Sequence, residues 1–305
     1  MFAHQHHPAA VVLASGEDSL AYLQSQWSCQ LDRQGENQAS YGLRLNRKGR
    51  ILADGFVLKK DEDNFLIVSY DCSSPTLIEL LEENLVADDV EFEDQTIGYE
   101  ILSLWGGDHD TLSSQFSLTM PKENSFVATE FGLIFWGRKT KPANIEILSD
   151  EKQTKALASL LKNAAKKGSI KMENADFLTL ARIESGMPSI PMEMGSGELP
   201  QECGLENGAV DFDKGCYLGQ EVMARLHAMG KARRQTITVR WPGPDSISTP
   251  VDLYAGEKKV GELRSLVMDK NEGIGIALVH ETGIPVLEND GLSIKDVTEG
   301  KITLL

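Results

Sequence analysis

The sequence predicts an α+β fold that closes with a small all-β unit. Two patterns carry that reading. Strand-like runs arrive as hairpins with helices between the sets, not in the alternation that builds a parallel wound sheet. After about Lys231, short β runs (TITVR, VDLY, KKVGELRSL, GIGIALV) follow one another, punctuated by Pro242, Gly243, Pro244, Gly256 and Gly273. That spacing suits a small antiparallel barrel or sandwich. A chain of 305 residues can bury more than one core, and the predicted division is 1–232 and 233–305.

The elements follow in order. AVVLAS (Ala10 to Ser15) reads as a strand, and EDSLAYLQSQW as a helix, because Leu20, Leu23 and Trp27 recur at helical spacing. YGLRLN and ILADGFVLKK form a hairpin hinged at Lys48-Gly49, and NFLIVSY follows the polar turn DEDN. Ser74-Pro75 opens the next helix as cap and first-turn proline. Leu77, Leu80, Leu81 and Leu85 give that helix its apolar side. Further strands are expected at Gly98 to Leu104, Phe126 to Thr129, Leu133 to Trp136 and Asn144 to Leu148, with an amphipathic helix over Lys152 to Lys166.

Composition excludes several function classes. A net charge of −16 speaks against non-specific nucleic-acid binding, which needs a basic surface. From Asp61 to Glu100 there is no Lys or Arg, while Glu82, Glu83, Asp88, Asp89, Glu91, Glu93 and Asp94 crowd together. A solvated face is the default reading of such a run, and a dock for a basic partner the alternative. GIGIALV is too short to cross a membrane, and MFAHQHHPAA lacks the parts of a signal peptide, so a cytoplasmic protein is expected. His4, His6 and His7 read as a frayed terminus. Cys29, Cys72, Cys203 and Cys216 contain no C-x-x-C pair, so neither a metal centre nor a ferredoxin-like cluster is predicted.

The chemistry concentrates in two motifs. KGCYLGQE (Lys214 to Glu221) sets Cys216 just before a helix that begins near Gly219. Unpaired N–H groups and the helix dipole there favour an anion such as a thiolate, and Lys214 nearby would favour it further. The alternative is a small residue packed in a turn. Tyr217 either stacks on an aromatic ligand or packs in the core. Arg225 either pairs with Glu221 one turn earlier or joins Lys231, Arg233 and Arg234 in receiving an anionic tail. In DFLTLARIESGMP a helix should end at Gly186; Phe177, Leu180, Ala181 and Glu184 then share one stripe, which turns the Glu184 carboxylate inward. A carboxylate so placed needs donors, from the protein or from a ligand.

KGCYLGQE resembles the signature of the YgfZ family of folate-binding proteins, relatives of the T-protein (aminomethyltransferase) of glycine cleavage. ARIESGMP, LPQECGL and the signature stand in the family's order. LASGEDSLAYLQSQWSCQL, LNRKGRILADGFV and KKVGELRSLVMDKNEGIGIALV look like its opening strand and helix, first hairpin and closing barrel strands. The resemblance implies a T-protein-like folate-binding domain of two ferredoxin-like halves, followed by a β-barrel. It implies tetrahydrofolate or a derivative as ligand, and a role in assembling or repairing iron–sulfur enzymes, including those that thiolate tRNA. It also implies folate contacts from Glu184, Glu202, Tyr217 and Arg225, and chemistry from Cys216 and Asp54. The T-proteins carry two adjacent acids where this chain has Ala53 and Asp54. That departure leaves folate-dependent aminomethyl transfer as the alternative, and an accessory protein, not a conventional enzyme, as the leading expectation.

Overall fold

The structure is a computed structural model that describes residues 1–32, 37–108, 110, 114, 119–230, 232–297 and 300–305. Two mixed α+β layers and an antiparallel barrel pack around a shared core. In the first layer, β2 (Ala10–Ser15), β3 (Ala39–Leu45), β4 (Ile51–Lys59), β5 (Asn64–Ser69) and β6 (Glu91–Asp94) line up as β3-β4-β5-β2-β6, all antiparallel. Helices α1 (Ser19–Gln26) and α2 (Ser74–Glu82) cover one face, burying Leu23, Trp27, Leu77 and Leu81 against Ala53, Val57, Phe65 and Ile67. The cap of α2 is Ser73, one residue before the expected serine, its Oγ accepting from Thr76 N. The crowded acids are all exposed, and the edge strand β6 carries Glu91 and Glu93. Charge on an edge strand discourages pairing with another chain.

The second layer repeats this plan with one insertion. Its order is β11 (Lys171–Met172), β1 (Phe2–His6), β7 (Tyr99–Trp105), β10 (Asn144–Asp150), β9 (Gly132–Trp136), β8 (Phe126–Thr129). The amino-terminal strand β1 slots between β11 and β7. His4 and His6 are therefore sheet residues, not a frayed end, because Phe2 to His6 pair with Trp105 to Ile101 along their whole length. Helix α3 (Glu151–Lys166) starts from an Asp150–Gln153 capping box and buries Leu157 and Leu161. Helix α4 (Ala175–Glu184) and helix α5 (Gln220–Met229) lead into the barrel.

In the barrel, β12 (Arg234–Trp241), β13 (Val251–Ala255), β14 (Lys258–Asp269), β15 (Glu272–His280), β16 (Ser293–Ile294) and β17 (Thr303–Leu304) run β16-β13-β14-β15-β12-β17. The Leu292–Ile302 pair joins the two end strands. Alternation along β15 serves two cores at once: Ala277 and Val279 fill the barrel, while Ile274, Ile276 and Leu278 enter the central core with Leu43, Phe56, Leu66 and Ile183.

Candidate functional site

The central core is not wholly apolar. Register in the first hairpin puts Tyr41 opposite Phe56 and Leu43 opposite Asp54. Tyr41 and Asp54 thus share the inner face of the sheet as diagonal neighbours. Asp54 is 6% exposed. Its Oδ2 accepts from the Tyr41 hydroxyl at 2.6 Å, and its Oδ1 is buried with no partner among the described residues. Burial pushes the Asp54 carboxyl up to about 7, against the opposing pull of the Tyr41 hydrogen bond.

Three cations surround this acid. Arg138 and Lys139 stand on the loop after β9, and Arg182 comes from α4; all three line a niche with Tyr41, Asp54 and Asp71. The Arg138 guanidinium lies 4.5 Å from the Tyr41 ring centroid and donates to Gly208 O at 3.2 Å. Arg182 forms a two-pronged pair with buried Glu193, at 2.7 and 2.8 Å, and also donates to Met187 O. Lys139 donates to His6 Nε2 at 3.0 Å and lies over the Tyr70 ring, and burial lowers its pKa. His6 is held neutral, pushed down to about 3 by burial first and by Lys139 second. Behind it, Glu146 is fully buried and fully met, accepting from Ser103, Tyr70 and Asn144, with its carboxyl raised by burial.

Tyr41 and Arg138 also line a much larger cavity of about 740 Å³. Its walls include Phe56, Trp136 and Cys29 on one side and the Gly208 to Asp213 loop on the other. His227 stacks on Phe212, 4.0 Å between centroids, at its edge. A cavity of this size holds a drug-sized ligand, and the niche beside it, sharing Tyr41 and Arg138, adds one acceptor and several donors.

The other predicted site residues fall elsewhere. Glu184 is exposed, not inward. Phe177, Ala181 and Glu184 do share a face, but that face lines an open groove with Phe2, Trp105 and Lys141, while α4 buries Leu178 and Ile183 instead. Tyr217 is in the central core. Glu202 is buried in an ion pair: Arg234 donates to both its oxygens at 2.8 Å, and Leu199 N to Oε2. It fastens the barrel to the chain before it and does not line the large cavity. Arg225 and Glu221 are both exposed, and among the described residues no ion pair joins them. Lys231 lies outside the described residues.

Cys216 is exposed; Cys29, Cys72 and Cys203 are buried, and none of the four is in a disulfide. Lys214 does not attend the thiol. Its ammonium is buried and donates to Gln24 O, Trp27 O and Cys29 O at 2.7 to 2.8 Å. Among the described residues no cluster of metal-ligating side chains occurs, and no helix is long and apolar enough to cross a membrane. Sequence reading missed Tyr41, Arg138, Lys139 and Arg182. The hairpin's alternation could have paired Tyr41 with Asp54, whereas no local pattern brings the cations of β9 and α4 to β4.

Two α+β layers with a polar cavity between them and a trailing barrel define a T-protein-like architecture. Over 98% of this chain the fold matches the glycine cleavage system aminomethyltransferase T from Bartonella henselae, with a TM-score of 0.77, 14% identity and 83% of that chain covered. Residues 7–128 match the GCVT N-terminal domain. The tRNA-modifying protein YgfZ of Shigella boydii serotype 4 is 25% identical over 233 residues, covering 74% of this chain and 67% of that one. The mitochondrial iron-sulfur cluster assembly factor IBA57 homolog of Cryptococcus neoformans var. neoformans is 27% identical over 276 residues, covering 77% and 72%. The YgfZ resemblance read from KGCYLGQE, within the T-protein superfamily, is borne out by these matches.

Proposed function

We propose that the protein binds tetrahydrofolate or a derivative in the cavity walled by Tyr41 and Arg138. On this reading it is an accessory protein for assembly or repair of iron–sulfur enzymes, including tRNA-thiolating ones, with Cys216 as its reactive thiol. The observation that carries the binding claim is the Asp54 Oδ1, buried and unpartnered among the described residues, in the niche that shares Tyr41 and Arg138 with the cavity. A buried acceptor left unmet costs about 1–3 kcal/mol, which a ligand N–H would relieve. The residues fit such a ligand: Asp54 as acceptor for ring N–H groups, Tyr41, Phe56 and Trp136 as apolar faces, and Arg138, beside Asp54, as a donor to a ring oxygen. When bound, folate supplies a one-carbon carrier. Tyr41 and Asp54 hold a proton between them, and Arg182 with Glu193 fixes the niche wall.

The names of the YgfZ and IBA57 relatives support the iron–sulfur role. The exposure of Cys216 supports a thiol reached by partner proteins. We place the protein in the cytoplasm, without non-specific nucleic-acid binding, and divide it at 232/233, where the barrel strands begin. The experiment is complementation of an iron–sulfur enzyme defect by Cys216→Ser. The variant should fold, bind folate and fail to complement; full complementation would sink the role given to the thiol.

A second reading, folate-dependent aminomethyl transfer, is favoured by one observation. Asp54 titrates near neutrality, where a general acid or base works best. Ammonia release from an aminomethylated lipoyl carrier, abolished by Asp54→Asn, would establish it.

A further inference from the structure

The Cys216 loop is fastened to the last turn of α1 and the segment that follows it by bonds at both its ends. Ser28 Oγ donates to Ala209 O at 2.6 Å, and Asp211 N donates back to Ser28 O at 2.9 Å. Further along, Leu218 N donates to Ser25 O at 3.0 Å. Between these ties lies Lys214, 7% exposed, whose ammonium meets three carbonyls. An ammonium has three N–H donors, so none remains for the thiol two residues on. Gln220 Nε2 holds the Lys214 carbonyl at 3.3 Å, and the Lys214 ammonium stands 5.2 Å from the Tyr217 ring centroid. Lys214 and Tyr217 both point inward, and Cys216 between them is turned out to solvent.

The same loop walls the cavity. Gly208 to Asp213 line it, as does Cys29, whose carbonyl is one of the three that Lys214 binds. We propose that Lys214 is a positioning residue that makes the cavity wall and the Cys216 loop one rigid piece, so that filling the cavity changes how the thiol is presented. This deepens the folate reading and rests on it for the identity of the ligand. The Lys214 ammonium also sits where α1 ends, where a cation is favoured by the helix dipole. Its loss therefore removes three bonds at once from this segment while the sheets stay packed.

The test uses the full chain with Lys214→Met and Lys214→Arg, and two readouts. Amide exchange over 211–218 should rise at least tenfold in Lys214→Met, with the sheets unchanged, and Lys214→Arg should restore part of the protection. Alkylation of Cys216 by iodoacetamide, the other three cysteines being buried, should change in rate when 5-formyltetrahydrofolate is added to wild type. In Lys214→Met that change should vanish. Loop exchange within twofold of wild type in Lys214→Met overturns the proposal whatever folate does. So does an undiminished ligand effect on Cys216 in that variant. Failure of wild type to bind the folate contradicts the proposed ligand instead, and the exchange arm still decides the role of Lys214.

Discussion

Asp54 receives the Tyr41 hydroxyl on one carboxylate oxygen, at 2.6 Å, while the other is buried and unmet among the described residues, in a niche that shares Tyr41 and Arg138 with the large cavity. A half-satisfied buried acid is expensive, and the arrangement has consequences that can be measured.

The first concerns pH. The folded-state value for Asp54, about 7, lies above the 3.8 of an ordinary aspartate. Its contribution to stability is therefore fully present below pH 4 and is lost as pH rises through 7. Asp54→Asn should be more stable than wild type at pH 8 and should lose that advantage toward pH 4. A shift of this size corresponds to about 4 kcal/mol at most, and roughly half of that is expected after relaxation. Urea titrations across the range check it; a variant less stable than wild type at pH 8 would contradict the burial argument.

Gly219 supplies a second prediction. It has φ +88°, and an added Cβ would lie 2.7 Å from the Asn46 carbonyl oxygen, in the turn between β3 and β4. Gly230, at the other end of α5, has φ +78° with open space around it. Gly230→Ala should cost about 1 kcal/mol, the left-handed penalty alone, and Gly219→Ala at least twice that. Equal thermal shifts would mean that the hairpin tip is not pressed against the signature.

Glu202 is predicted to hold the fold together and not the ligand. Its side chain is 7% exposed and that of Arg234 is 32%, so Arg234 can turn to water when its partner is removed. Glu202→Ala should then destabilise by about 2 kcal/mol, less than for a fully buried pair, and leave folate affinity within twofold. A tenfold loss of affinity with unchanged stability would return Glu202 to the binding site.

Glu184→Ala isolates the neighbouring groove. Its carboxylate faces Phe2, Trp105 and Phe177, not Asp54. Folate affinity and the pH profile of stability should both match wild type, and a marked loss of binding would show that the ligand occupies that groove instead.

Particular residues show what the sequence could and could not reveal. The β3–β4 hairpin, the helices after Ser73 and Asp150, and the barrel strands were legible because their periods and caps are local. The stripe through Phe177, Ala181 and Glu184 was also real, yet periodicity cannot say whether a shared face meets core or open groove. Lys214 was near Cys216 in sequence, but its donors were claimed by carbonyls nearly two hundred residues away. His6 looked like terminal debris because only a sheet partner, distant in the chain, turns it into a strand. Folding decided each of these by long-range pairing, which leaves no local trace.

The most direct measurement is anaerobic calorimetric titration of tetrahydrofolate into wild type, Cys216→Ala and Asp54→Asn. The account predicts one site in wild type, equal affinity in Cys216→Ala, and at least tenfold weaker binding in Asp54→Asn. No binding heat with folded wild-type protein, or undiminished affinity without the Asp54 carboxylate, would contradict it.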